Sequence, residues 1–380
     1  MASESDYPGP ASIFGVWRRR LARLIAPDEA PPQTTPPAPV PLADDQRLPL
    51  YLQSEGAKLQ LEGEVLKLTR DDEQLATAPV AEVSEVVLIG PVAITTPCLH
   101  ALLKADIPVS WHTMSGWFLG HTSGLGGAGL GRRLAQYRAA GDSGQALGVA
   151  RTLIAAKIQG LRLMIRRNHK GTPPQLTLCR LDRLEYDAER AESLETLLGI
   201  EGAASAGYFA EVPRLLADAR GEPFTAAFVG RRKRPPTDPL NAALSFCYAM
   251  LTRAVTVAAT VAGFDARLGF LHQPRAGRPS LSLDLMEPLR PLIADSAVIT
   301  AINNGRLKPE HFSHGEDAVL LNADGRKAVI EAFEQRLGVE ISHPAFARPL
   351  SYRAWLSAQC RLLGDHLTGA RPDFPLLRPR

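Results

Sequence analysis

The stretch IPVSWHTMSGWFLGHTSGLGGAGLGRRLAQYR, Ile107–Arg138, changes its period partway along. Ile107–His112 and Trp117–His121 alternate apolar and polar positions, which predicts two short strands. After Gly131 the spacing becomes helical and the chain becomes basic. Between the two lies Ser123–Gly131, with Gly124, Gly126 and Gly129 in a literal G-x-G-x-x-G pattern. A dinucleotide site needs that pattern inside a strand–turn–helix unit, with an acidic residue about 20 positions further on. A basic helix follows instead, so the glycines read as a hinge between a β-rich and a helical region.

Upstream of the hinge, Leu50–Leu52, Ala57–Leu61 and Val65–Leu68 alternate in period two, with Glu62-Gly63-Glu64 as a turn, and Val83–Ile89 is a further strand. Thr95–Ala105 reads as a short helix, capped by Thr95 or Thr96 and with Pro97 in its first turn. Residues 47–126 thus form a small β-rich domain. Residues 1–46 read as a disordered extension, because Pro27–Pro41 carries seven prolines. Residues 12–25 within it, with amphipathic turns at Trp17–Ile25, are an alternative docking segment for a partner protein.

Downstream, residues 127–370 read as a larger all-α domain and 371–380 as a flexible tail. The fold class is therefore α+β with segregated halves. Residues 131–170 hold nine basic side chains against one acid, Asp142. Ile154, Ile158, Leu161 and Ile165 form an apolar helical stripe, flanked by Arg151, Arg162 and Arg166. A solvated charged face normally mixes signs, so this excess points to a polyanion such as nucleic acid. Asp182–Leu198 is the next helix. Gly199-Ile200-Glu201-Gly202 then opens a run of small residues, where Glu201 alone reads as an exposed turn. Arg231–Arg234 places four cations in a loop, and Leu240–Ala262 is a long, nearly all-apolar core helix.

Leu268–Pro291, LGFLHQPRAGRPSLSLDLMEPLRP, carries the chemistry. Ser280 or Ser282 caps a helix that puts Asp284 and Glu287 on nearly one face. His272 faces them across a Gly/Pro/Arg loop. Carboxylate oxygens with one imidazole suit Mg²⁺ or Mn²⁺. A satisfied polar cluster is the alternative for these three residues.

The 380 residues have a net charge of +3 and a pI near 8.7. The four scattered cysteines form no C-x-x-C, which disfavours a zinc ribbon or an Fe–S cluster and fits a reducing cytoplasm. The sequence shows no membrane-spanning apolar run and no signal-peptide pattern.

G-I-E-G at 199–202, R-R-x-R-P-P-x-D-P-x-N at 231–241, G-F-L-H at 269–272 and L-D-L-M-E-P-L-R-P at 283–291 occur in this order, with R-R-x-x-Q-Y-R-A at 132–139. Together they resemble the CRISPR-associated adaptation integrase and endonuclease family, Cas-one, over about residues 47–370. The resemblance implies an N-terminal β domain, a helical catalytic domain, and a Mg²⁺ or Mn²⁺ held by Glu201, His272 and Glu287, with Asp284 supporting the site. It implies insertion of short DNA fragments at a CRISPR repeat, by attack of a 3′-hydroxyl on a phosphodiester.

Arg231, Arg232 and Arg234 are then candidate DNA contacts near the site, and Arg132, Arg133, Arg162 and Arg166 along the duplex. Gln159-Gly160-Leu161 departs from the family's Asn-Gln in the basic helix. The implied partners are double-stranded DNA, a second copy of the chain, the Cas-two protein and a separate Cas-four nuclease, since no cysteine cluster marks a Cas-four fusion. A non-catalytic DNA-binding scaffold and a general branched-DNA repair nuclease are the alternatives.

Overall fold

The computed structural model describes residues 47–122, 129–232, 235–344, 346 and 348–376, all of them in one compact unit. The extension 1–46, the glycines at 124 and 126, Arg234 and the last four residues of the tail lie outside the described residues.

The β-rich region comprises β1 (Leu48–Leu52), β2 (Lys58–Glu62), β3 (Val65–Arg70), β4 (Glu73–Pro79), β5 (Val83–Ile89) and β6 (Ala93–Ile94), then helix α1 (Thr96–Lys104), β7 (Val109–His112) and β8 (Phe118–His121). Two four-stranded sheets result, in the orders β1-β5-β7-β8 and β4-β3-β2-β6. Period-two alternation predicts the strands but not their pairing: β5 runs parallel to β1 and to β7, with α1 in the crossover. Thr95 caps α1 by accepting from the Cys98 N–H.

β5 serves two cores because successive side chains point to opposite faces. Val86 and Leu88 pack among the β-region residues, whereas Val87 and Ile89 join the core of the helices. Glu85 shares the second face and pairs with the fully buried Arg253. Arg253 also donates to Tyr51 Oη at 2.9 Å, and Tyr51 donates to Glu334 Oε1 at 2.6 Å. This polar network joins the two regions.

The helical region comprises α2 (Leu130–Gly141), α3 (Ser143–Asn168), α4 (Gln175–Arg190), α5 (Leu194–Glu211), α6 (Asp218–Thr225), α7 (Pro239–Val261), α8 (Ser280–Met286), α9 (Ser296–Asn303), α10 (Ala323–Leu337) and α11 (Tyr352–Leu367). Two ribbons interrupt it, β9 (Phe312–His314) with β10 (Val319–Leu321) and β11 (Glu340–Ile341) with β12 (Leu350–Ser351). A β-rich region followed by a larger, mostly helical one is the order expected. Helix α7 is long and apolar enough to cross a membrane by length and hydropathy, but its side chains fill the protein core.

Three local expectations are corrected. Asp182–Leu198 is not one helix: α4 ends at Arg190, and Ser193 starts α5 by accepting from the Thr196 N–H at 3.1 Å. The glycines at 199 and 202 therefore lie inside a helix. Burial of Leu197, Ala204 and Tyr208 offsets their cost of up to about 1 kcal/mol each. Neither Ser280 nor Ser282 caps α8. Both are buried within it, Ser280 donating to Gln273 O and Ser282 meeting Thr256 Oγ1 at 2.8 Å.

Candidate metal and nucleic-acid site

The apolar stripe of α3 contains a cation. Lys157 lies between Ile154, Ile158 and Leu161, and its side chain is only 6% exposed. A buried ammonium costs several kcal/mol unless it is paired. Two carboxylates supply the pairing: Lys157 Nζ donates to Glu287 Oε2 at 2.6 Å and to Glu201 Oε1. These acids lie 44 and 130 residues further along the chain, on α5 and just after α8. Ser205 donates to Glu201 Oε1 at 2.8 Å, and Arg290 reaches Glu287 Oε1 at 3.2 Å.

Both carboxyls are held below their ordinary values. For Glu287, burial acts upward, but the charges of Arg290 and Lys157 prevail and bring it to about 2. For Glu201, burial and the charge of Glu287 act upward, and Lys157 with Ser205 outweighs them. Both acids are therefore ionised and oriented towards one positive charge.

His272 and Asp284 form the second half. Asp284 is fully buried, with Oδ2 accepting from the N–H groups of Phe270 at 2.5 Å and Leu271 at 2.9 Å. Its Oδ1 accepts from the His272 N–H at 2.9 Å and lies 2.6 Å from His272 Nδ1. Four donors fill the carboxylate's usual capacity, so Asp284 positions the loop and the imidazole rather than facing a ligand. That leaves Nε2 as the ring's ligand-forming nitrogen. Gly269 makes the arrangement possible, because a Cβ there would sit 2.6 Å from Asp284 Oδ2.

Among the described residues no three His, Cys, Asp or Glu side chains are gathered as a ready metal cage. The position between Glu201 and Glu287 is held by the ammonium of Lys157. The donor set still fits a hard divalent ion: two ionised carboxylates already share one cation, and His272 is close enough to Glu287 to depress its pKa.

A cleft of about 630 Å³ opens beside the acid pair. Lys157, Glu201, Arg231, Tyr248, Arg290 and Asp295 supply its polar wall. Tyr248 donates to Asp295 Oδ1 at 2.6 Å, and the guanidinium groups of Arg231 and Arg290 lie 5.2 and 4.9 Å from its ring centre. Burial pushes the Asp295 carboxyl up to about 6, against the Tyr248 hydrogen bond and both arginines.

The expected DNA contacts separate by environment. Arg231 lines the cleft, held by Asn241 at 2.8 Å and Ser245 at 2.9 Å, while Asn241 also accepts from the N–H of the exposed Arg232. Arg162 is tied to Asp182 and Glu185 at 2.7 Å each, so it fastens α3 to α4. Arg132 reaches Asp365 at 3.4 Å and Arg133 reaches Gly263 O at 3.2 Å. Arg166 is exposed at the end of α3.

In the sequence Lys157 is one of nine basic residues between 131 and 170, and nothing there singles out Arg290, Tyr248 or Asp295 as part of the site. A lysine on an apolar stripe was the available signal, since it demands a buried acid.

Comparison with known proteins identifies the family. The family model of the CRISPR associated protein Cas1 matches residues 50–335. A CRISPR-associated exonuclease Cas4/endonuclease Cas1 fusion from Geobacter sulfurreducens is 44% identical over 89% of this chain. The chain spans only 62% of the length of that relative. A CRISPR-associated endonuclease Cas1 from Thermus thermophilus is 34% identical, covering 86% of this chain and 95% of its own. A chain from a solved Cas6-RT-Cas1–Cas2 complex superimposes with a TM-score of 0.73 at 26% identity, covering 88% of this chain and 36% of its own. By matched length and by identity, the chain belongs to the Cas1 family.

Proposed function

We propose that the chain is a metal-dependent DNA endonuclease and integrase of CRISPR adaptation, joining the 3′-hydroxyl of a short DNA fragment to a phosphodiester at the repeat. The observation that carries this reading is the convergence of Glu201 and Glu287 on one cation at the edge of an arginine-lined cleft. Glu201, Glu287 and His272 would hold Mg²⁺ or Mn²⁺. Such an ion neutralises charge developing on a scissile phosphate and helps orient the attacking oxygen.

The chain's own groups do the rest. Asp284 fixes the His272 ring with Nδ1 engaged. Arg290 and Arg231 offer guanidinium charge to phosphate oxygens in the cleft, where screening by water is reduced. Exposed cations, Arg232 and Arg166 among them, add contacts that weaken with salt.

The relatives named as Cas4 fusions and the solved complex with Cas2 support a Cas2 partner and a Cas4 link; a cytoplasmic setting belongs to the same proposal. A second copy of the chain, forming a homodimer, is part of the same proposal. The test is joining of a labelled fragment into a repeat-bearing plasmid, with and without Cas2, in Mn²⁺ and in EDTA. Metal-dependent joining and branched-DNA cleavage are expected, with loss of both in His272→Ala. DNA binding without any cleavage would instead mark a scaffold, and cleavage without joining a repair nuclease.

A further inference from the structure

We propose that Lys157 is the resident counter-ion of the Glu201–Glu287 pair, and that a divalent metal binds by exchanging with its ammonium, which moves into the adjoining cleft. The inference rests on the metal-dependent reading above and adds a device to it.

The two carboxylates converge on a single position, and Lys157 Nζ holds it. An ammonium and a divalent ion cannot share that position, because like charges a few ångströms apart repel strongly in a poorly solvated site. One of them must leave. The lysine has a way out, since its side chain lines the 630 Å³ cleft. Its four-carbon stem is flexible, and the exchange needs only new rotamers.

The backbone stays in place. Gly160 lets α3 pack directly on the turn that follows Glu287: a Cβ at 160 would lie 2.8 Å from Pro291 Cγ. The helix carrying Lys157 and the turn carrying Glu287 are therefore held together while the side chain moves.

Two consequences follow. While the metal is absent, Lys157 keeps two ionised carboxylates from repelling each other, so the acid pair is assembled before any ion arrives. Once displaced, its ammonium joins Arg231 and Arg290 in the cleft and adds a third cation facing phosphate. Metal and DNA then favour one another through the lysine, and that coupling is reciprocal.

The experiment uses the full chain and Mn²⁺, with binding read from the free-Mn²⁺ EPR signal. In the wild-type protein, modification of Lys157 by an amine-reactive reagent is followed by mass spectrometry. Severalfold faster labelling in saturating Mn²⁺ than in EDTA is expected. In parallel, Lys157→Met should bind Mn²⁺ about tenfold more tightly, because no competing cation has to be expelled. Its melting temperature should fall in EDTA and recover in Mn²⁺, which a merely structural lysine would not produce.

If Lys157→Met does not fold without metal, the wild-type labelling decides alone. Unchanged labelling with Mn²⁺ bound, or equal or weaker Mn²⁺ affinity in Lys157→Met, overturns the exchange and leaves the metal site standing. No Mn²⁺ binding by the wild type overturns both.

Discussion

Asp284 Oδ1 lies 2.6 Å from His272 Nδ1, and the same carboxylate holds the three successive N–H groups of Phe270, Leu271 and His272. One side chain thus shapes a loop and aims an imidazole. Asp284→Ala leaves three donors without a partner and frees the ring. It should cost roughly 3–5 kcal/mol in urea unfolding, the scale for breaking a buried charged cluster. Loss of an orienting partner should lower DNA cleavage by about 10–100-fold in whatever protein remains folded. Wild-type stability in this variant would remove the loop-shaping role.

That pair was legible in the sequence because His272 and Asp284 are near neighbours along the chain. The two-part architecture was also legible, since the hydrophobic period changes across residues 107–138. What stayed hidden depends on partners far apart in sequence. Gly199 and Gly202 look like breakers, but the buried anchors of α5 outweigh them. Lys157 looked like one more member of a basic face, although it sits on the apolar side. Arg162 looked like a DNA contact, and the acids that occupy it lie on the next helix. Parallel pairing of β5 with β1 and β7 likewise leaves no mark on alternation.

The arginines of α3 should divide by phenotype. Arg166→Glu with Arg167→Glu changes exposed side chains near the helix end. It should weaken DNA binding and reduce the slope of log K against log salt by about two, with stability unchanged. Arg162→Glu faces Asp182 and Glu185 and should lower the melting temperature first. Salt titrations of DNA affinity beside thermal melts separate the two, and the reverse assignment would show that Arg162 is the DNA contact.

Stability should depend on pH through two buried acids of opposite sense. Glu287, depressed to about 2, contributes stability that is present above its unfolded value of 4.5 and lost as pH falls towards 2. Asp295, raised to about 6, contributes stability that is present below 3.8 and lost as pH rises through 6. Asp295→Asn should therefore gain on the wild type between pH 4 and pH 7, by up to about 3 kcal/mol. Glu287→Gln should lose ground to the wild type as pH rises from 2 to 5. Urea unfolding across the range checks both, and parallel curves would contradict the assignments.

Arg253 fastens the β-rich region to the helices through Glu85 and Tyr51. Arg253→Met strands the Glu85 carboxylate and should cost about 3–5 kcal/mol. Adding Glu85→Gln should recover part of that loss, since the two effects are coupled. A double-mutant cycle by chemical denaturation measures it, and simple additivity would mean that the pair does not act as a unit.

The most direct measurement is Mn²⁺ binding to the wild type and to the Glu201→Gln, Glu287→Gln double variant, each shown to be folded by circular dichroism. The account predicts a saturable site in the wild type that the double variant loses, together with metal-dependent DNA cleavage. Undiminished Mn²⁺ affinity in the double variant would contradict it, because the ion would then be held elsewhere.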